Sequence, residues 1–380
     1  MGLRGRWYRG GTSKCWLFDS KDVALHAPTR EEIPALLSAA FGAADARQLD
    51  GVGGGTSTTS KAAVIWATPD ADADLDYLFA QVGIGDPTVE LGSNCGNCAT
   101  AIALFAVQTG IVAAEDGMTK VRMRHITSGA VLSGTVPTPG GHIPKSGLAR
   151  VPGSNAAGVP VNLSFHGPWG QNTGALLPTG NAVDQLQVNG RTLRATMVDA
   201  GAPAVLIPAE EAGVDLSSMA DNLSGSLPTL IAARASAGLA MGLRNPEDPP
   251  QNAVPKVGVV APAGDYIAAD GTTISADSHD VRVRMLSMLA PHPAIGLTSA
   301  VAVALAASVQ SSVVADAAGQ APLPGTGAPR MLRVGTPAGV IITEIISDEK
   351  GMVSEVALHR AARHIATADI DVAQAAELSA

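Results

Sequence analysis

The stretch Gly92-Ser-Asn-Cys-Gly-Asn-Cys-Ala-Thr-Ala-Ile-Ala-Leu-Phe-Ala106 joins a polar, glycine-containing approach to an apolar run. Its composition predicts a helix over Ala99 to Ala114, and a helix apolar on every side must be buried all round. A second run of this kind, Ala294 to Ala307, follows Pro291-His-Pro293. Thr298 and Ser299 interrupt it and Ser308, Gln310, Ser311 and Ser312 follow it. That pattern predicts a buried helix rather than a membrane span.

Working outward from the two helices, further features recur in the same order. Each helix is followed by a basic strand, Val121-Arg-Met-Arg124 and Pro329-Arg-Met-Leu-Arg333. Each is preceded by a lysine opening a β-branched strand, Ser60-Lys-Ala-Ala-Val-Ile65 and Pro255-Lys-Val-Gly-Val-Val260. Earlier still stand two strand-turn-strand segments, Tyr8-Arg-Gly-Gly-Thr-Ser-Lys-Cys-Trp-Leu-Phe18 and Val198-Asp-Ala-Gly-Ala-Pro-Ala-Val-Leu-Ile-Pro208. Four features in register predict a duplicated α+β fold, each half a sheet wrapped around its apolar helix. The expected first half is 1–187, joined by the C-terminal segment 350–380, and the second is 188–349. Pro137 to Gly158 reads as a surface loop, and Val353 to Thr367 has helical spacing.

The 380 residues suffice for two domains, and 46% hydrophobic against 16% charged residues suits a compact enzyme-like chain. A formal charge of -9 without a Lys/Arg stripe gives no footing for nucleic acid. The start, Met1-Gly-Leu-Arg-Gly-Arg-Trp-Tyr-Arg-Gly-Gly11, has no apolar core of signal-peptide length, so the expected location is cytoplasmic, with no membrane partner. Three cysteines, Cys15, Cys95 and Cys98, suit reduced thiols better than a disulfide framework.

Cys95-Gly-Asn-Cys98 has the spacing of a redox pair, yet the short βαβ setting of thioredoxins is lacking. Zinc would need two more ligands at compatible spacing, and the eight histidines are scattered singly. The remaining reading uses one thiol: Cys95 precedes a helix whose free N–H groups stabilise an anion, either a thiolate or a ligand carboxylate. Cys98, one turn in, would face the helix packing. Asp50-Gly-Val-Gly-Gly-Gly-Thr-Ser-Thr-Thr-Ser-Lys61 is neither a Walker loop, since no glycine precedes the lysine, nor a dinucleotide fingerprint, since Thr56 replaces the last glycine. Thr58 stands where a serine-lysine hydrolase needs serine. Lys61 either points inward, where burial tunes an amine for proton transfer, or snorkels to solvent.

Arg9-Gly-Gly-Thr-Ser-Lys14, Gly53-Gly-Gly-Thr-Ser-Thr-Thr-Ser-Lys61 and Asn94-Cys-Gly-Asn97 together make the chain resemble the methylaconitate isomerase family. That family includes 3-methylitaconate isomerase and 4-oxalomesaconate tautomerase and has the diaminopimelate epimerase-like fold. Val198-Asp-Ala-Gly201, Pro255-Lys-Val-Gly-Val-Val-Ala-Pro262, His292-Pro-Ala-Ile-Gly-Leu-Thr298, Arg333-Val-Gly-Thr-Pro-Ala-Gly339 and Arg360-Ala-Ala-Arg363 extend the likeness along the whole chain. The resemblance implies two β-structured halves around central helices and an active site between them. It implies Lys61 and Cys95 as the proton-transfer pair. A two-thiol racemase of the same fold would need a cysteine in the second half, and none follows Cys98. Cys98 departs from the family, where a small non-thiol residue is expected.

The resulting expectation is a cofactor-independent isomerase, requiring neither metal nor flavin, that shifts an allylic proton in an unsaturated di- or tricarboxylic acid. Backbone N–H groups of Gly96 and Asn97, with Thr12, Ser13, Ser60 and Asn94, would hold carboxylates, and Arg284 and His292 would serve a further one. The partner is a small polycarboxylate, with a second copy of the chain as an admissible one. The alternatives are a racemase of the same fold and a non-catalytic carboxylate binder.

Overall fold

A computed structural model describes residues 2–68, 70–91, 95–220, 223–248, 252–319 and 329–372. The chain divides into two compact units, Met1–Ser164 with His359–Ala380, and Phe165–Leu358. Residues 165–187 and 350–358, set with the first half on sequence grounds, belong to the second unit. There Gly167 donates its N–H to the Ser354 carbonyl (2.8 Å) and the Trp169 indole donates to the Val353 carbonyl (3.0 Å).

In unit 1, β1 (Leu3–Gly10) and β2 (Ser13–Asp19) form a hairpin, and β3 (Lys61–Ala67) runs parallel to β2, with Trp16 opposite Ala62. β4 (Leu75–Val82) is antiparallel to β3 and carries Gln81 opposite Lys61. Helix α1 (Ile33–Phe41) covers the outer face of β3, burying Ile33, Leu37 and Phe41 with Ala62 and Val64. The other face meets α2 (Gly96–Thr109), in which every residue from Cys98 to Val107 is buried. β5 (Gly117–His125) and β6 (Val131–Thr138) continue the sheet, so that α2 touches β1, β2, β3, β5 and β6. α2 stops five residues short of the expected Ala114, because Gly110 turns left-handed at φ 77° and caps it.

β7 (Val159–His166) leads to unit 2, where β8 (Asp184–Val188), β9 (Arg191–Ala200) and β10 (Ala202–Pro208) form an antiparallel run. Helix α3 (Leu227–Ala240) packs Leu230, Ala233 and Ala237 on Val257 and Val259 of β11 (Lys256–Pro262). β11 is parallel to β10 and antiparallel to β12 (Val281–Ser287). Helix α4 (Leu297–Ser308) is buried from Ser299 to Ala307, and α5 (Val313–Ala318) lies against it. β13 (Arg330–Thr336) and β14 (Gly339–Ser347) complete the unit. The α+β duplication read from the apolar runs is thus present, with a sheet around a buried helix in each unit. Among the described residues no helix is long and apolar enough to cross a membrane.

The C-terminal segment corrects the sequence reading. Val353–Ile370 is a strand, not a helix: it pairs with β14 through Thr343 and Leu358, and with β1 from Gly10 and Ala362 to Leu3 and Ile370. Val353, Ala357 and Ala361 have the four-residue spacing of a helix face. Yet β1 offers an open row of backbone donors and acceptors along its edge, and an unpaired buried edge is costly.

The fit around α2 is close. Gly134 of β6 faces Ala103, and a Cβ at Gly134 would collide with the Ala103 side chain. Gly134→Ala should therefore lower stability by about 1–3 kcal/mol, the usual cost of overpacking. Urea unfolding would show it as a lower midpoint with the slope unchanged; an unaltered midpoint would mean that α2 is not clasped this tightly.

Candidate active site

The N-terminus of α2 is built from glycine approaches and a borrowed arginine. Cys95 is the N-cap at φ -130° and ψ 103°, and its carbonyl accepts the first helical bond from Ala99 N–H (2.9 Å). The N–H groups of Gly96 and Asn97 begin the helix and have no intrahelical acceptor. Asn97 organises the surroundings: its Nδ2 donates to Thr12 Oγ1 (3.1 Å) and Ser13 Oγ (3.3 Å), and its Oδ1 accepts from Arg360 Nη2 (2.9 Å). Gly11, at φ 53°, leaves no room for a side chain beside Asn97 and Arg360, which is why the β1–β2 turn can sit there.

All three cysteines meet at this end. The Cys95 thiol hydrogen-bonds with Cys98, and Cys98 in turn with Cys15 of β2. Cys15 and Cys98 are buried, while Cys95 is half-buried. The bond to Cys98 and then burial push the Cys95 pKa well above that of a free thiol, with the Lys61 ammonium pulling the other way. Burial first, and then the Cys15 bond, raise Cys98 likewise. Among the described residues no three His, Cys, Asp or Glu side chains are grouped to hold a metal ion.

Lys61 is held rather than free to wander. Its Nζ donates to Gln81 Oε1 (2.5 Å) and lies 5.2 Å from the Phe79 ring centre, while Gln81 Nε2 donates to the Ser60 carbonyl (2.9 Å). Ser60 contributes through that carbonyl. Its hydroxyl is fully buried and donates to Gln48 Oε1 (2.5 Å), which also accepts from Gly55 N–H (2.8 Å). The Ser60 side chain therefore shapes the glycine-rich loop and is not offered to a ligand.

Arg360 is the residue that sequence reasoning passed over. It is 6% exposed, and among the described residues neither it nor Arg9 forms an ion pair with a carboxylate. Burial, and then the nearby Arg9 charge, lower its pKa to about 10, with the Cys95 thiolate opposing. No local pattern betrays it, because its partner Asn97 lies 263 residues away in the chain.

The structure brings Thr12 and Ser13 to Asn97 at the start of α2, where Cys95 and Gly96 stand, and the Lys61 charge reaches the Cys95 thiol. Asn94 lies outside the described residues. Arg284 and His292 belong to unit 2, where Arg284 Nη1 donates to the His292 carbonyl (3.2 Å).

The family model described as PrpF protein matches residues 4–373. The chain is 34% identical over 353 residues to 2-methyl-aconitate isomerase of Cupriavidus necator, covering 88% of this chain and 87% of that one. It is 36% identical over 358 residues to 4-oxalomesaconate tautomerase of Pseudomonas putida, covering 93% and 92%. The crystal structure of a methylitaconate-delta-isomerase superimposes with a TM-score of 0.85 at 30% identity, over 97% of this chain and 95% of that one.

The thiol chain has a measurable consequence. At neutral pH Cys95 should be alkylated slowly by iodoacetamide, with the rate climbing only in the alkaline range, because the thiolate is the nucleophile. Cys98→Ala removes the bond that raises Cys95 most and should move this rise to lower pH. A pH profile that is unmoved in Cys98→Ala, read by mass spectrometry of the Cys95 peptide, would contradict the assignment.

Proposed function

The chain belongs to the PrpF protein family and is an isomerase, and from that premise we propose that it shifts an allylic proton in an unsaturated di- or tricarboxylic acid. The substrate is of the aconitate, methylaconitate or oxalomesaconate type, and Lys61 and Cys95 form the acid–base pair. The observation that carries this reading is the end of α2. There an amine fixed by Gln81 lies close enough for its charge to reach a thiol at a helix N-terminus, and Asn97, two residues on, gathers Thr12, Ser13 and a buried arginine.

A proton next to a conjugated carboxylate is weakly acidic, so its removal requires a positioned base and donors where negative charge develops. Gly96 and Asn97 N–H groups and the Thr12 and Ser13 hydroxyls hold a substrate carboxylate at the positive end of the helix. The Arg360 charge, one residue contact away through Asn97, favours the delocalised carbanion. Lys61 and Cys95 share the two proton transfers, one removing the allylic proton and the other returning a proton to the far carbon. No step calls on a metal or an organic cofactor. The two-thiol racemase alternative requires a cysteine in unit 2, and the sequence has none after Cys98.

In deuterated water the product should carry deuterium at the newly protonated carbon, seen by proton NMR. Lys61→Ala should suppress both turnover and deuterium incorporation by about 10²-fold or more. If that variant exchanges substrate hydrogen at the normal rate and only binds more weakly, Lys61 is a carboxylate anchor and not the base. Separately, full turnover should persist after exhaustive chelation. Activity lost with chelator and restored by added zinc or iron would defeat the cofactor-free mechanism.

A further inference from the structure

A lysine amine is carried on a flexible four-carbon stem, and it keeps one geometry only where something holds its tip. Strand alternation settles the direction that Lys61 takes. Ala62 and Val64 of β3 pack into the cluster formed with α1, so Lys61 and Ala63 point to the other face, the one that meets α2. On β4, Leu78 and Ala80 belong to the α1 cluster, while Phe79 stands opposite Ala63 and Gln81 opposite Lys61. Lys61, Phe79 and Gln81 therefore share one side of the sheet.

The Gln81 amide is anchored before it meets the lysine. Its Nε2 donates to the Ser60 carbonyl (2.9 Å), which also accepts from Val82 N–H (3.0 Å). With the nitrogen spent on a carbonyl, Oε1 is the atom turned to Lys61 Nζ, 2.5 Å away. Ser60 is itself pinned, because its buried hydroxyl donates to Gln48 Oε1 (2.5 Å) while Gln48 Nε2 donates to the Gly83 carbonyl (3.0 Å). Gln48, Ser60 and Gln81 thus form a line of neutral groups from the glycine-rich loop to the amine. The Phe79 ring, its centre 5.2 Å from Nζ, borders the amine on the same face. The Lys61 charge is felt by the Cys95 and Cys98 thiols, and among the described residues Lys61 forms no ion pair with Asp or Glu.

A neutral acceptor does something here that a carboxylate could not. The ammonium and the free amine both have an N–H to donate, so either form bonds to Oε1 and the nitrogen stays in place as its proton comes and goes. A carboxylate at the same point would favour the ammonium by its charge and oppose loss of the proton. We infer that Gln81 is a positioning residue of the isomerase reaction: acting through Lys61 alone, it holds the amine in both protonation states on the face of β3 turned to α2. The inference rests on the proton-transfer role proposed for Lys61. Neither the glycine-rich motif nor the Cys95 motif marks Gln81, which lies 20 residues beyond Lys61 in the chain.

The test follows kcat and KM across pH by proton NMR, with whichever of aconitate, 2-methylaconitate and 4-oxalomesaconate the unaltered protein turns over. Gln81→Met keeps the length of the side chain and removes the acceptor; kcat should fall about tenfold or more, as for a lost hydrogen bond to a charged group, with KM within about twofold. Gln81→Glu keeps an acceptor within reach and adds a charge, and it also covers the case that Gln81→Met folds poorly. Whichever proton transfer Lys61 performs, the limb of the pH profile it governs should move to higher pH in Gln81→Glu by about one unit or more. A readout without substrate is the pH at which Lys61 is acetylated by trace acetic anhydride, read by mass spectrometry, which should rise likewise in Gln81→Glu. A kcat unchanged in Gln81→Met, a loss confined to KM, or a pH profile and an acetylation midpoint both unmoved in Gln81→Glu would each overturn the inference. Lys61→Ala separates the two readings: turnover retained there removes the premise and the inference together, whereas an inactive Lys61→Ala beside a fully active Gln81→Met removes this inference alone.

Discussion

A helix with no polar face cannot rest on a sheet as an amphipathic helix does; it must be enclosed, and enclosure governs what else each unit can contain. Around α2 the strands β1, β2, β3, β5 and β6 all make contact, and Gly134 gives up its side chain so that Ala103 can come close. The flanks of such a helix are unavailable for chemistry. Its ends are not, and the N-terminal end has N–H groups without acceptors and the positive end of the helix dipole. A polar site in this architecture is thereby directed to the start of the buried helix, which is where Cys95, Gly96 and Asn97 stand.

Charge at that end is unbalanced in a useful direction. Lys61, Arg9 and Arg360 gather near the positive helix terminus, and opposite them are thiols rather than carboxylates. The Cys95 thiolate is favoured by Lys61 and disfavoured more strongly by the bond to Cys98 and by burial, so the thiol keeps its proton. An incoming polycarboxylate brings its own charge and its own acceptors and suffers no such penalty from the neighbouring thiols.

The frame of the fold was legible because it is written in long-range repetition of strong local signals. Two apolar runs, two lysine-opened strands and two strand-turn-strand segments require only that like sequences fold alike. The end of α2 was legible in part: Cys95, Asn97, Thr12 and Ser13 lie in glycine-rich motifs whose composition marks close backbone approach. The C-terminal strand was not, since the spacing of Val353, Ala357 and Ala361 suits a helix equally well and only the open edge of β1 decides. Arg360 was hidden with it, because a residue read onto a helix cannot be placed beside Asn97. Cys15 joined the thiols for a similar reason: nothing in the sequence says that β2 lies under the first turn of α2. Ser60 shows the opposite error, a hydroxyl in a promising motif that Gln48 consumes.

Duplication explains why the two lysines share a position and not a chemistry. Strand direction, parallel pairing and burial are backbone properties, fixed by the enclosure of α2 and α4, and they bring Lys61 and Lys256 to the same kind of strand opening. What a lysine does there depends on the first side chains it meets. Gln81, directly across the ladder, accepts from Lys61 and adds no charge. At Lys256 burial and then the Arg234 charge lower the pKa, so one kind of strand opening sets two lysines in different electrostatic surroundings.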